Sequence, residues 1–516
     1  MRLALLVETS RRVAEASGRL EKVRLLAALL VTAPPDEIEI ATAYLCGSPR
    51  QQRLGVGWAT LRAVTGDLAG DSPSLELAEV DAALEQIAKA AGKGSADARQ
   101  QLLRALLSRA TREEQHFLGR LVMGELRQGA LEGLVADAVA RAAAVPAEDV
   151  RRGLMLVGDL PTVARAALTQ GSAGLSRFSV QLFRPVLPML AETADDEEGA
   201  LAALGEAALE YKVDGARVQV HKSGDEVRVF SRRLNEVTGA VPELVAAIKA
   251  LPARELILDG ETVALRPDGT PHPFQITMRR FGRKLDVEAL RRELPLTSFF
   301  FDLLYRDGAA LLDEPLARRA LALTEAVGPS LVMPRIVTSS VGEAGDFLRA
   351  ALARGHEGIM AKDLEAPYEA GRRGSRWLKV KPAQTLDLVV LAAEWGHGRR
   401  QGWLSNLHLG ARDPGGGGFV MLGKTFKGMT DEMLTWQTGR LLELEVARDE
   451  YTVYVRPELV VEVAFNDVQA SSQYPGGLAL RFARVKRYRT DKAAAESDTI
   501  ESVREIHRRQ GGQPPS

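Results

Sequence analysis

The 516-residue chain carries 67 Lys and Arg against 68 Asp and Glu, a formal charge of −1, with 46% hydrophobic and 26% charged residues. At roughly 150 residues per domain this length suggests about three domains, which excludes one small domain, while the composition excludes an overall disordered chain and a basic tail protein. Nucleic acid stays open as a partner, because binding depends on where the cations sit and not on their sum. Cys46 is the only cysteine, so intrachain disulfides and zinc sites built from several thiolates are excluded. The apolar run at residues 1–7 is too short for a signal peptide, and no stretch reaches the ~18 apolar residues of a membrane span. A cytoplasmic protein with no membrane partner is expected.

In chain order, residues 1 to about 170 read as helical, with Ala, Leu, Arg and Glu recurring at apolar spacings of three and four and no strand signal. The small residues Gln170-Gly171-Ser172-Ala173-Gly174, followed by Pro185 and Pro188, predict a linker. After residue 205 short β-branched runs take over. Residues 216–221 and 227–231, joined through Ser223-Gly224-Asp225, predict a hairpin. Further strands are expected at 255–258, 262–265 and 298–304, with helices at 242–250, 314–326 and 342–354, giving an α+β domain with antiparallel sheets. Near Gln384 the texture shifts to short strands at 386–391, 404–409, 419–422 and 459–464, which suggests a small β-barrel. The expected division is a helical domain at 1–175, an α+β domain at 176–384, a β-barrel at 385–505 and a disordered tail at 506–516.

One lysine opens the chemistry. Lys212-Val213-Asp214-Gly215-Ala216-Arg217 lies just before the hairpin, where a turn glycine lets backbone approach a ligand. Alone it is a modest signal. Five further blocks follow in fixed order: Phe230-Ser231-Arg232-Arg233, Leu258-Asp259-Gly260-Glu261, Phe300-Phe301-Asp302-Leu303-Leu304, Glu357-Gly358-Ile359-Met360-Ala361-Lys362 and Trp377-Leu378-Lys379-Val380-Lys381-Pro382. The series resembles the nucleotidyltransferase motifs I, Ia, III, IIIa, IV and V of the ATP-dependent DNA ligases. Residues 481–492 look like motif VI of the same family, departing from it at Ala483, where proline is usual, and at Lys486, where an apolar residue is common. Gly124-Glu125-Leu126-Arg127-Gln128-Gly129-Ala130 resembles the helical DNA-binding domain of the large archaeal and eukaryotic type, and Gly423-Lys424-Thr425-Phe426-Lys427-Gly428 resembles its oligonucleotide-binding (OB) barrel.

The resemblance implies an adenylation domain and an OB-fold domain behind an all-α DNA-binding domain, with ATP and Mg²⁺ (or Mn²⁺) as cofactors. It makes Lys212 the nucleophile that becomes a covalent lysyl-AMP. Glu210, Arg217, Arg232, Glu261, Phe301, Arg373, Lys379 and Lys381 would hold the nucleotide, and Glu261 and Glu357 would serve the metal. Arg484, Lys486 and Arg487 of motif VI would orient pyrophosphate, and Arg127, Gly129 and Lys424 would touch DNA. Elementary chemistry agrees: a free lysine titrates near ~10.4, so amine attack demands nearby cations and burial, and phosphoryl transfer is mostly positioning and charge neutralisation. On pattern alone Phe301, preceded by two phenylalanines, reads as core, and Glu261 and Glu357 read equally well as solvated turn carboxylates.

The implied activity is sealing of 5′-phosphate/3′-hydroxyl nicks in duplex DNA by a monomer that encircles its substrate through sequence-independent phosphate contacts, in replication, repair or recombination. A recruiting sliding clamp or repair protein is not readable here. An NAD-dependent ligase is disfavoured, since that family carries a four-cysteine zinc element. The remaining alternatives are an RNA ligase or RNA-capping guanylyltransferase, and a catalytically silent nick-binding protein. Gly418-Phe419-Val420-Met421-Leu422-Gly423-Lys424-Thr425 also fits the phosphate-loop pattern G-x-x-x-x-G-K-[ST]. Such a loop needs a helix directly after it, whereas this apolar segment itself reads as a strand.

Overall fold

The computed structural model describes all residues except 52–53, 65–69, 71, 93, 127–131, 283–286, 371–372, 382–383 and 510–516, with the backbone alone at 282, 287–289, 373–374 and 509. The described residues before 176 form helices from Leu3–Glu15 to Leu160–Leu175 and no strand. Local sequence fixes their ends. Thr111 and Glu114 close a capping box over Arg112–Val122, and Asp159 accepts from the Thr162 amide at 2.9 Å with Pro161 in the first turn of the last helix. Their apolar stripes meet in one core around Leu26, Tyr44, Leu84 and Val139. The expected linker at 170–174 is corrected: the helix continues to Leu175, bent where Gly171 adopts φ 59°, a conformation that glycine reaches without a Cβ penalty.

The middle of the chain builds two five-stranded sheets. Its strands are β1 (Leu190–Ala194), β2 (Ala207–Tyr211), β3 (Ala216–Ser223), β4 (Glu226–Ser231), β5 (Glu255–Ala264), β6 (Leu296–Arg306), β7 (Ala309–Ala310), β8 (Arg335–Thr338), β9 (Ile359–Asp363) and β10 (Arg373–Val380). One sheet runs β1-β10-β9-β2-β8 and the other β4-β3-β5-β6-β7. All pairs are antiparallel except β1 with β10. The hairpin forms as expected, whereas the two strands expected at 255–258 and 262–265 are one. Gly260 is no turn: a Cβ there would meet the Phe299 carbonyl oxygen at 2.7 Å, so glycine lets β5 and β6 approach. Residues 212–215 connect β2 of one sheet to β3 of the other, which places Lys212 at their junction.

Arg152 forms a bidentate bridge to Asp313, one arm at 2.6 Å, and the Leu187 amide donates to the Met155 carbonyl at 2.9 Å, tying the helical region to this domain. Four residues after β10 ends at Val380 the C-terminal β-rich domain begins: β11 (Gln384–Trp395), β12 (Leu404–Asp413), β13 (Gly418–Thr425), β14 (Glu445–Arg448), β15 (Thr452–Val455), β16 (Val460–Phe465), β17 (Asp467–Ala470), β18 (Leu478–Arg481) and β19 (Arg484–Tyr488). The long β11 pairs with β16 along Gln384 to Val389 and with β15 along Ala392 to Glu394. That division of one strand between two partners curls the sheet in the manner of an OB-fold. Gly418–Thr425 is a single strand paired with β12, so the phosphate-loop pattern lacks its helix. The tail expected at 506–516 is corrected over 506–509, because the helix Ile500–Arg509 seats Val503 and His507 in the domain interior, while 510–516 lie outside the described residues.

Candidate active site

Lys212 is fixed at its backbone before its side chain is considered. Its amide donates to the Gly358 carbonyl at 2.9 Å, and the Glu357 amide donates back to the Lys212 carbonyl at 3.0 Å, extending the β2–β9 ladder by one rung. Two glycines allow this crowding. A Cβ on Gly215 would meet the Thr262 carbonyl oxygen at 2.5 Å, and one on Gly358, at φ 146°, would meet the Val380 carbonyl oxygen at 2.2 Å.

The side chains then converge. Lys212 Nζ donates to one oxygen of Glu357 and Lys381 Nζ pairs with the other, so a single carboxylate bridges the two ammonium groups. Burial would raise the Glu357 carboxyl, but the two lysines outweigh it and hold it below its ordinary value. Lys381 is lowered by burial and by the neighbouring Lys212 charge. Asp214 is pushed up to about 6 by burial and by Glu357, and Glu261, opposite Arg217 in the β3–β5 register, is pushed up to about 8 by burial. Carboxylates costly to ionise beside clustered cations are the mark of a site awaiting charged ligands.

Arg217 reaches over the second sheet. It holds Asp259 at 3.0 and 2.7 Å and the Met189 carbonyl at 2.7 Å, while the Tyr368 hydroxyl donates to Asp259 at 2.6 Å. Its guanidinium carbon lies 5.3 Å from the Phe301 ring centroid. Glu210 is buried, paired with Arg335 at 2.8 Å and with Lys362 at 2.6 Å. Arg232 stands exposed on the turn after β4, beside a small notch shared with Arg217 and Asp259. In front of Lys212 opens a cleft of about 2480 Å³, walled by both domains and lined by Asp214, Glu357, Lys379, Lys381, Arg481 and Arg484 among others.

Comparison with known proteins decides the family. Residues 188–381 match the family model described as the ATP dependent DNA ligase domain, 400–492 the ATP dependent DNA ligase C terminal region, and 65–140 the DNA ligase N terminus. The chain is 62% identical over 512 residues to a probable DNA ligase of Anaeromyxobacter sp. strain Fw109-5, covering 99% of each. It is 57% identical over 501 residues to one of Mycolicibacterium gilvum strain PYR-GCK, covering 96% of this chain and 97% of that one. The chain belongs to the ATP-dependent DNA ligase family. The solved structure Pmar-Lig_PreS3 shares the ligase fold, with a TM-score of 0.64 at 18% identity over 94% of this chain and 99% of that one.

The fold brings Lys212, Glu210, Arg217, Glu261, Phe301, Glu357, Lys379 and Lys381 to one sheet junction. Of the motif VI candidates, Arg484 lines the cleft, whereas Arg487 pairs with Glu462 at 2.7 Å and Lys486 is exposed along the same strand. Lys424 pairs with Glu394, which also accepts from Asn406 at 2.7 Å, and is not among the cleft-lining residues. The Arg373 side chain lies outside the described residues, as do Arg127 and Gly129.

Sequence reasoning passed over Asp214, Asp259, Lys362 and Arg481, although each stood inside a quoted block. Arg481 lies 5.7 Å from the Phe274 ring centroid and 5.1 Å from that of Phe482, joining the C-terminal domain to the cleft. Arg335 lies in none of the blocks, and only the fold brings it to Glu210.

Proposed function

We propose that this ligase seals 5′-phosphate/3′-hydroxyl nicks in duplex DNA through a covalent lysyl-AMP on Lys212. The observation that carries the reading is the Glu357 carboxylate shared by Lys212 and Lys381 at the junction of the two sheets. In the first step Lys212 Nζ, once its ammonium proton has passed to solvent, attacks the α-phosphorus of ATP with its lone pair, a P–N bond forms, the bond to the β-phosphate oxygen breaks, pyrophosphate leaves and the surplus N–H proton is lost to solvent. Glu357 orients the amine, while Lys379 and Lys381 face the negative charge that builds on the phosphate. The adenylate then passes to the DNA 5′-phosphate, and the 3′-hydroxyl displaces AMP.

Among the described residues no three or more His, Cys, Asp or Glu groups form a metal cluster. Glu261 and Glu357 therefore suit a divalent ion held mainly by nucleotide phosphates and water, the habit of Mg²⁺ and, with the same hard oxygen donors, Mn²⁺. Bound there, such an ion supplies neutralisation of phosphate charge. The helical region, adenylation domain and barrel, divided near residues 175 and 384, would act as a monomer wrapped around the duplex, wherever chromosomal DNA is replicated, repaired or recombined.

The test incubates the protein with α-labelled ATP, GTP or labelled NAD and chases with nicked DNA or nicked RNA. Label from ATP alone, discharged with sealing of nicked DNA, is the expected result; label from GTP, or discharge only by RNA, overturns it. Lys212→Ala should abolish labelling yet retain some sealing of pre-adenylated nicks, and a Lys212→Ala protein that still takes label means another nucleophile.

A further inference from the structure

Along β3 the side chains alternate, with Val218 and Val220 in the core of the second sheet and Arg217, Gln219 and His221 on the opposite face. The polar face of such a strand is ordinarily the wet one. Here Gln219 and His221 are buried. What covers them is a strap, residues 183–189, which belongs to the connection between the last helix of the helical region and β1.

The strap is fastened at three points. The Phe183 amide donates to His221 Nδ1 at 2.9 Å. That nitrogen is therefore bare, so Nε2 carries the proton and donates to Gln219 Oε1 at 2.9 Å. Burial keeps the imidazole neutral, pushing it down to about 3. Gln219 then grips Val186 twice: Oε1 accepts from the Val186 amide at 2.7 Å, and Nε2 donates to the Val186 carbonyl at 3.0 Å. At the third point Arg217 Nη1 donates to the Met189 carbonyl at 2.7 Å, while the Met189 amide donates to the Tyr368 hydroxyl at 3.1 Å.

Pro185 and Pro188 bring no N–H, so the strap cannot complete a strand ladder, and side chains stand in for a neighbouring strand. Phe183 is held at φ 66°, a costly conformation for a residue with a Cβ. Its ring lies 4.8 Å from the Arg228 guanidinium carbon. On the other side the Leu187 amide donates to the Met155 carbonyl and Arg184 Nη2 donates to the Val157 carbonyl at 3.2 Å. The strap is thus bonded both to β3 and to the helical region.

We propose that Gln219 and His221 are positioning residues for the nucleotide: by clipping residues 183–189 to β3 they hold the Met189 carbonyl where it aims the Arg217 guanidinium. The proposal rests on reading the Lys212 pocket as the nucleotide site, with Arg217 among its cations. Asp259 takes the Nε and Nη2 edge of Arg217, so Nη1 is the corner that the strap sets. A loosened Met189 leaves that corner without its acceptor. Arg217 holds the nucleotide in ground and transition state alike, so the loss falls on binding and not on turnover.

The experiment measures lysyl-AMP formation against the concentration of α-labelled ATP for the wild-type chain, Gln219→Met, His221→Asn, Arg217→Lys and the Gln219→Met/Arg217→Lys double variant, with a thermal melt of each. Gln219→Met keeps the volume but strands the Val186 amide and carbonyl, so it should melt lower. Its KM for ATP should rise on the order of tenfold, with the maximal rate changed less than about threefold. His221→Asn still offers an acceptor to Phe183 but no longer reaches Gln219, and should show a smaller rise in KM. It carries the readout if Gln219→Met fails to fold. In the Arg217→Lys background Gln219→Met should raise KM by less than about twofold, because a residue acting through Arg217 has nothing left to act on. Folded variants that melt lower yet keep the wild-type KM, or KM increases that multiply in the double variant, overturn the proposal and leave the clip a matter of stability. A wild-type chain that takes no label from ATP overturns the reading of the pocket instead.

Discussion

In the adenylation domain Arg319 and Asp302 pair with both side chains fully buried, and Lys362 meets Glu210 at 1% and 2% side-chain exposure. Along β19 of the C-terminal domain the cations face solvent: Arg487 leans on Glu462 while 67% exposed, and Arg484 and Lys486 project from the same edge. The buried pairs cannot move without stranding a charge in a poorly polarisable interior, so they define a fixed frame. The exposed ones exchange partners at little cost, which is what a surface meant to meet phosphates requires.

The contrast can be broken first at the buried pair. Asp302→Ala leaves Arg319 uncompensated and should cost ~3–5 kcal/mol in denaturant unfolding, whereas Asp302→Leu combined with Arg319→Met should cost far less. Equal losses in the two proteins would mean that the charges are not what matters there. Next in size, Gly358→Ala places a Cβ against the Val380 carbonyl oxygen in backbone that only glycine adopts freely. We expect a loss on the order of 1–3 kcal/mol together with slower self-adenylation, because Glu357 and the Lys212 rung must shift with it. Smallest in stability is Arg484→Ala on the exposed edge, within about ±0.5 kcal/mol. This variant should slow self-adenylation, as a residue that orients pyrophosphate would, and wild-type nick binding should weaken steeply with salt. A salt-independent wild type would remove the case for an encircling grip.

Much of this was legible in the sequence because phosphoryl-transfer residues cluster in short blocks. The blocks around Lys212, Glu261, Phe301, Glu357 and Lys381 were each readable, and the fold brings them together. The structure withheld from sequence reading whatever depends on approach between distant strands. Asp259-Gly260-Glu261 reads as a turn, yet Gly260 sits mid-strand against Phe299. Arg335 carries no local signal, since its value lies in a partner 125 residues away. The helix Ile500–Arg509 was missed because its basic end hid an apolar spacing at Ile500, Val503 and Ile506.

Lys381 touches Glu357 and stands three residues before Gln384, where the first barrel strand starts. Mechanically, it sits at a fulcrum. Any rotation of the barrel about the start of β11 displaces the remote strands β13 and β14 by a long arc and the Lys381 ammonium by almost nothing. One short stretch of chain can therefore steady the charge beside Lys212 while the remote strands of the barrel change place.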